Sequence, residues 1–229
     1  MSAPNERAIA AAKKVPTNLG NNHAFALWEI AKAQSEIGDV KAFQQTVESI
    51  PKQSREFKAS VLVEQALRAK DFKQALEIAA KETEGGASWA LARIALAQAK
   101  ASDFKAAPQT RGQIKDPFTR ISISASLALE LAKAGQKEPA VKMLQEAIPA
   151  PEIVGADEGY ADDIRSSLQD LARAQAELGD ENGCLKWIAK LPSPFTRSYV
   201  LLGVVEGIAA REGNGARPRL YYVPFETPD

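Results

Sequence analysis

The chain is poor in the residues that most often do chemistry. Cys184 is its one cysteine and His23 its one histidine in 229 residues. A single cysteine cannot close an intrachain disulfide, and no second thiol or histidine stands near it in sequence to suggest a metal site. A buried apolar thiol is the expected role for Cys184. Nucleophilic triads need a base, usually histidine, and His23 lies far from Cys184 in a stretch read as loop, so catalysis of that type is not expected. The motifs GxGxxG, GxxxxGK[ST] and HExxH are missing, which removes phosphate cradles and zincin chemistry. Charge of one sign is missing too: 29 basic residues balance 29 acidic ones. No global field attracts nucleic acid or an anionic membrane. No run approaches the roughly 18 apolar residues of a membrane span, and the opening stretch lacks the apolar core of a signal peptide. Taken as it stands, the chain reads as cytoplasmic and soluble. A chain exported after loss of a leader would look the same.

What is present is repetition. Hydrophobic residues make up 45% and charged residues 25%, the range of a folded protein. An alanine-rich helical run, a breaker and a second, shorter helical run recur as AKAQSEIGDVKAF (31–43), ALARIALAQAKASDFKAA (90–107), LELAKAGQKEPA (129–140) and LARAQAELGDENG (171–183). The residue after the breaker falls at Asp39, Asp71, Asp103, Gln136, Asp180 and Asn214, giving spacings of 32, 32, 33, 44 and 34. The long interval contains an insert at about 149–160 rich in proline, glycine and acid.

Within the units the phase also repeats. Leu27, Ile30, Ala31 and Gln34 match Leu91, Ile94, Ala95 and Gln98, then Leu168, Leu171, Ala172 and Gln175. Small alanines at one register let helices approach closely. Gly38, Gly135 and Gly179 suit left-handed helix ends, and Asp39 and Asp180 suit caps for the helices that follow. Ile50-Pro51, Ile114 with Pro117, Ile148-Pro149 and Leu191-Pro192 close the second helices, because proline cannot continue one. PFTR occurs at 117–120 and 194–197, with SREF at 54–57 a looser copy. Thr119, Thr196 and Ser54 are the expected caps there. Arg55, Arg120 and Arg197 are expected to reach back to carbonyls or acids at the end of the preceding helix. Asp157, Glu158, Asp162 and Asp163 lack the spacing of a calcium loop and are read as complementing the positive end of the helix at 162. The expectation is an all-α chain: a half unit at 5–15, five hairpins over about 22–191 and a last helix at about 196–212. Residues 1–212 form one array, and 213–229 form an extended tail packed on it.

The phrases GDVKAF, KDFKQAL and SDFKAA, with the period of 32 to 34, resemble the tetratricopeptide repeat family. Ala75 and Ala107 match that family's small residue in the second helix, while Phe43 replaces it in the first unit. Its first-helix glycine and tyrosine stand here as Ala31, Ala95 and Ala172 and as Gln34, Gln98 and Gln175, so the resemblance is to a divergent array. It implies an α-α superhelix, a right-handed solenoid of about five hairpins whose concave groove holds a peptide or protein. The candidate groove residues are Trp28, Glu29, Lys32, Glu64, Arg68, Trp89, Arg93, Lys100, Gln169, Asp170 and Arg173. The two tryptophans are weighed against a role in core packing. Their mixed charge favours a protein or peptide partner over a polyanion. No catalytic residue, metal or cofactor is expected. The alternatives are a helical accessory domain that positions another module and, third, an RNA-binding helical repeat, which would need a basic stripe. Oligomeric state is left open.

Overall fold

The computed structural model describes residues 14, 22–51, 54–149, 154 and 161–213. The expected half unit at 5–15, nearly all of the insert and the tail from 214 lie outside the described residues. Among those described there are eleven helices and no strand. They are α1 (Asn22–Glu36), α2 (Val40–Ser49), α3 (Arg55–Arg68), α4 (Phe72–Ala79), α5 (Glu84–Lys100), α6 (Ala106–Gly112), α7 (Pro117–Lys133), α8 (Lys137–Glu146), α9 (Ala161–Glu177), α10 (Glu181–Ile188) and α11 (Pro194–Arg211). The chain divides into two compact units between Ala90 and Leu91, within α5.

Each long helix is joined to the shorter one after it by one recurring turn. A residue with positive φ stands at Gly38, Lys70, Ser102, Gly135 and Gly179. The next residue then donates its backbone N–H to the carbonyl five positions back: Asp39 to Gln34 at 3.0 Å, Asp71 to Ala66 at 2.8 Å, Asp103 to Gln98 at 2.9 Å, Gln136 to Leu131 at 2.9 Å and Asp180 to Gln175 at 3.1 Å. This bond satisfies a carbonyl that the ending helix leaves open. In three of the turns the same residue also caps the next helix, and Asp103 makes the same side-chain bond just ahead of α6, whose N-cap position is Lys105. The carboxylates of Asp39, Asp71, Asp103 and Asp180 accept from the backbone N–H of Ala42, Gln74, Ala106 and Gly183 at 2.9 to 3.0 Å. One aspartate thus ends its turn and starts the next helix.

The caps after the prolines differ from expectation. Asp116 and Ser193 cap α7 and α11, accepting from the N–H of Thr119 at 2.6 Å and of Thr196 at 3.3 Å. Pro117 opens its helix instead of closing the one before, and Pro194 opens α11 in the same way. A first-turn N–H has no partner within its helix, so proline loses nothing there, and both threonines fall inside the first turn. Arg120 does reach back, donating from Nη1 to the Ile114 carbonyl at 2.9 Å. His23 lies in the first turn of α1 rather than in a loop, and Asp162 and Asp163 lie in the first turn of α9.

In the first unit α1 packs on α2 and α3, and α3 on α4. Their core holds Leu27, Trp28, Ala31, Phe43, Val47, Ile50, Phe57 and Val61. In the second unit α7 and α11 both lie against α9, while α8 and α10 pack on the long helices beside them. Small residues mark these crossings: Ala31, Ala95 and Ala172 are fully buried, as are Ala75, Ala107, Ala140 and Cys184 on the second helices. Ala140 and Cys184 stand at the register of Ala75 and Ala107, two matches that the sequence reading left out.

A buried polar pair twelve positions apart recurs as well. Thr110 donates to Gln98 Oε1 at 2.8 Å, and Trp187 Nε1 donates to Gln175 Oε1 at 3.0 Å, while Gln175 Nε2 donates to Asp180 at 2.7 Å. Gln34 and Thr46 occupy the same register, both buried. In the second and fourth hairpins the corresponding residues, Ala66 with Ile78 and Leu131 with Met143, are apolar. Polar and apolar hairpins alternate.

Candidate functional site

The expected site residues fall on both sides of the unit boundary, and each unit gathers its own. On α1 and α3, Trp28 is 8% exposed and donates from Nε1 to Ser60 Oγ at 3.2 Å. The Lys32 ammonium lies 5.0 Å from its ring centroid and covers what remains of the ring. Trp28 is therefore a core residue with one edge at the surface, not an open anchor. Arg68 pairs with Glu36 across the same helices at 2.9 Å, both half exposed, a pair worth little by itself in solvent. Glu29 is exposed and Glu64 partly buried. Trp89 is partly buried and lines a cleft with Glu56, Ala59, Ser60, Glu82, Gly86 and Ala90 that encloses about 20 Å³, room for a water molecule. Arg93 and Lys100 are exposed on the part of α5 in the second unit.

Gln169, Asp170 and Arg173 come together on α9 with two residues not anticipated, Ser122 on α7 and Glu206 on α11. Gln169 Nε2 donates to Glu206 Oε2 at 3.3 Å. Asp170 is hydrogen-bonded to Ser122 and feels the charges of Arg173 and Glu206. Burial pushes its carboxyl up to about 6, against the pull of Arg173 and with a push from Glu206, while the Ser122 bond favours the ionised form. The result is a polar strip over three neighbouring long helices, in which Gln169 bonds to Glu206, Asp170 bonds to Ser122, and the charges of Arg173 and Glu206 act on Asp170. It can accept and donate hydrogen bonds, and it changes charge near pH 6.

The strip is tight because α11 meets α9 backbone to backbone. A Cβ on Gly203 would lie 2.2 Å from the Gln169 carbonyl oxygen, and one on Gly207 2.2 Å from that of Arg173. Arg211, at the end of α11, donates to the Ala176 carbonyl at 3.0 Å and pairs with Glu181, closing the C-terminus of α9. That pairing raises the Arg211 pKa and lowers that of Glu181. The spacing of Gly203 and Gly207, four apart on one helical face, was a readable signal for this close approach.

Among the described residues no cluster of three or more His, Cys, Asp or Glu could hold a metal ion. Cys184 is buried, with Sγ 3.4 Å from the Ala172 carbonyl, and burial together with Asp180 and Glu181 pushes its thiol up to about 12. It is not poised as a nucleophile. No described helix is long and apolar enough to cross a membrane. Comparison with known protein families, characterised proteins and solved structures finds no match to this chain.

Proposed function

We propose that this chain is a noncatalytic helical-repeat scaffold whose long helices present a mixed-charge face to a peptide or protein segment. The reading extends the hairpin recurrence to a divergent tetratricopeptide-like array, a right-handed superhelix with the long helices on its concave side. The observation that carries it is the strip of Ser122, Gln169, Asp170, Arg173 and Glu206 on α7, α9 and α11. Long helices set side by side align such groups at one-helix intervals, and complementary polar patterns on a rigid face select a partner by register and charge. The groups around Asp170 are suited to holding a ligand with both amide and charged functions.

The test is selection from a random twelve-residue peptide display library against the full chain. Enrichment of a peptide family is expected, with affinity lowered about tenfold or more, equivalent to about 1.4 kcal/mol, by Gln169→Ala with Glu206→Lys. The same variant should keep its helical circular dichroism and melting temperature. Failure to enrich, or equal binding by the folded variant, would overturn the proposal.

A further inference from the structure

Helix α11 has two apolar sides. Val200, Gly203, Val204 and Gly207 face inward and are buried. At 100° per residue, Phe195, Ser198, Leu202, Val205 and Ala209 fall on the opposite side, with Leu201 at its edge. None of these six is charged. Phe195, Leu201, Leu202 and Val205 are 65%, 38%, 54% and 64% exposed. With such side chains at about 150 to 200 Å² each, their exposed parts amount to on the order of 400 Å², about half of the roughly 800 Å² that each partner gives to a standard interface. That is an apolar centre of the right size, to which a polar rim adds the rest.

The stripe is complementary to itself when turned end for end. A two-fold axis through Leu202 sets that residue against its own counterpart, and places Phe195, seven positions before it, against Ala209, seven positions after it. A large ring then meets a methyl group at both ends, the ridge-and-hollow fit that close helix packing needs. The charges follow the same symmetry. The Arg165 guanidinium lies 5.1 Å from the Phe195 ring, and Glu206 accepts a hydrogen bond from Gln169, so both stand on the edge turned toward α9, the base near the start of the stripe and the acid near its end. An antiparallel second copy brings base and acid together along that edge. Arg165 also pairs with Asp162, and a guanidinium with five donors can serve a second carboxylate as well. The two Glu206 side chains stay about 12 Å apart, eight residues at 1.5 Å each, beyond the screening length of about 8 Å at physiological salt. A parallel pair would instead stack Phe195 on Phe195 and set Glu206 beside Glu206.

We infer that the outer side of α11 joins two copies of this chain as an antiparallel pair, with Leu202 on the two-fold axis and Phe195 over Ala209 of the second copy at either end. Pairing of one patch with itself about a two-fold axis is the commonest assembly of soluble chains. An apolar centre of this size gives a reversible dimer, with a dissociation constant on the order of 10 µM. The inference rests on the outer side of α11 and needs no peptide ligand, so it stands or falls separately from the peptide-binding reading.

Two measurements on the full chain test it. In sedimentation equilibrium the mass should rise from 24.6 kDa in dilute solution toward twice that value as the concentration passes about 100 µM, roughly ten times the expected dissociation constant. Leu202→Lys with Val205→Lys should weaken the dimer about tenfold or more, because it sets ammonium groups against one another at the axis, while the helical circular dichroism stays that of the wild type. A wild-type chain that is monomeric at every concentration would leave the stripe to some other occupant, and a dimer that the double variant leaves intact would place the contact elsewhere; either result overturns the inference. In the second measurement, Leu202→Cys stands in a Cys184→Ala background, a replacement that matches Ala75, Ala107 and Ala140 at the same register. Only a residue on the axis meets its own counterpart at disulfide range, so oxidation should link two chains through position 202 about tenfold faster than through Glu138→Cys on α8 in the same background. Equal rates for the two would sink the proposal.

Discussion

At Lys70 and Ser102 the turn asks for a backbone conformation that side chains resist. Both have positive φ, 56° and 66°, where the other three hairpin turns use glycine. The left-handed region costs a residue with a Cβ about 1 to 2 kcal/mol, partly offset by glycine's larger entropy loss on folding. Ser102→Gly and Lys70→Gly should therefore each stabilise the chain by about 0.5 to 1 kcal/mol, measured by urea unfolding. A loss of stability would mean that the side chains contribute more than the strain costs. Asp170 gives a second prediction. Its folded pKa of about 6 lies above its ordinary value of 3.8 because burial opposes the charge. Between these values the folded chain binds more protons than the unfolded one, so this group makes stability fall as pH rises from about 4 to 6, and level off above. Asp170→Asn should remove that slope. Its size should be on the order of 1 to 3 kcal/mol at most, because Asp170 keeps some contact with solvent. A slope unchanged in the variant would place its origin elsewhere.

At the scale of the element, α11 shows packing overriding propensity. Glycine within a helix is less favourable than alanine by about 1 kcal/mol, so Gly207→Ala would stabilise an isolated helix. Here the added methyl would meet the Arg173 carbonyl oxygen at 2.2 Å and Ala176 Cβ at 2.8 Å. Neither can move without shifting α9, so the contact wins, and Gly207→Ala should destabilise by about 1 to 3 kcal/mol. It should also weaken the Gln169–Glu206 approach. A variant as stable as the wild type in thermal melts would mean that α11 does not sit this close to α9. The bond from Arg211 to the Ala176 carbonyl reinforces the same interface from its far end.

For the whole molecule, a division into two compact units predicts local rather than global loss of structure. Gly207→Ala should accelerate amide exchange in α9, α10 and α11 more than in α1–α4; a uniform change would mark the chain as one cooperative body. How far each feature could be read beforehand follows the range of the forces involved. The helices, the hairpin period and the aspartates that start the second helices were legible, because turn geometry, capping and 3.6-residue periodicity act between residues a few positions apart. Thr119 and Thr196 were misjudged as caps in place of Asp116 and Ser193, since proline reads equally as a stop or as a first turn until its place in the helix is known. The site was legible only in part: Gln169, Asp170 and Arg173 stood out as polar residues on one helix, whereas Ser122 and Glu206 did not. Their partnership with α9 depends on how three helices rotate about their axes, and for α11 that is set by where Gly203 and Gly207 let its backbone touch α9. Trp28 illustrates the same division. Its place on a long helix was determined by the sequence, but its burial was decided by Phe57, Ser60 and Val61 on the next long helix. Local order is written residue by residue, while the facing of one helix to another comes from close packing, which only the assembled chain computes.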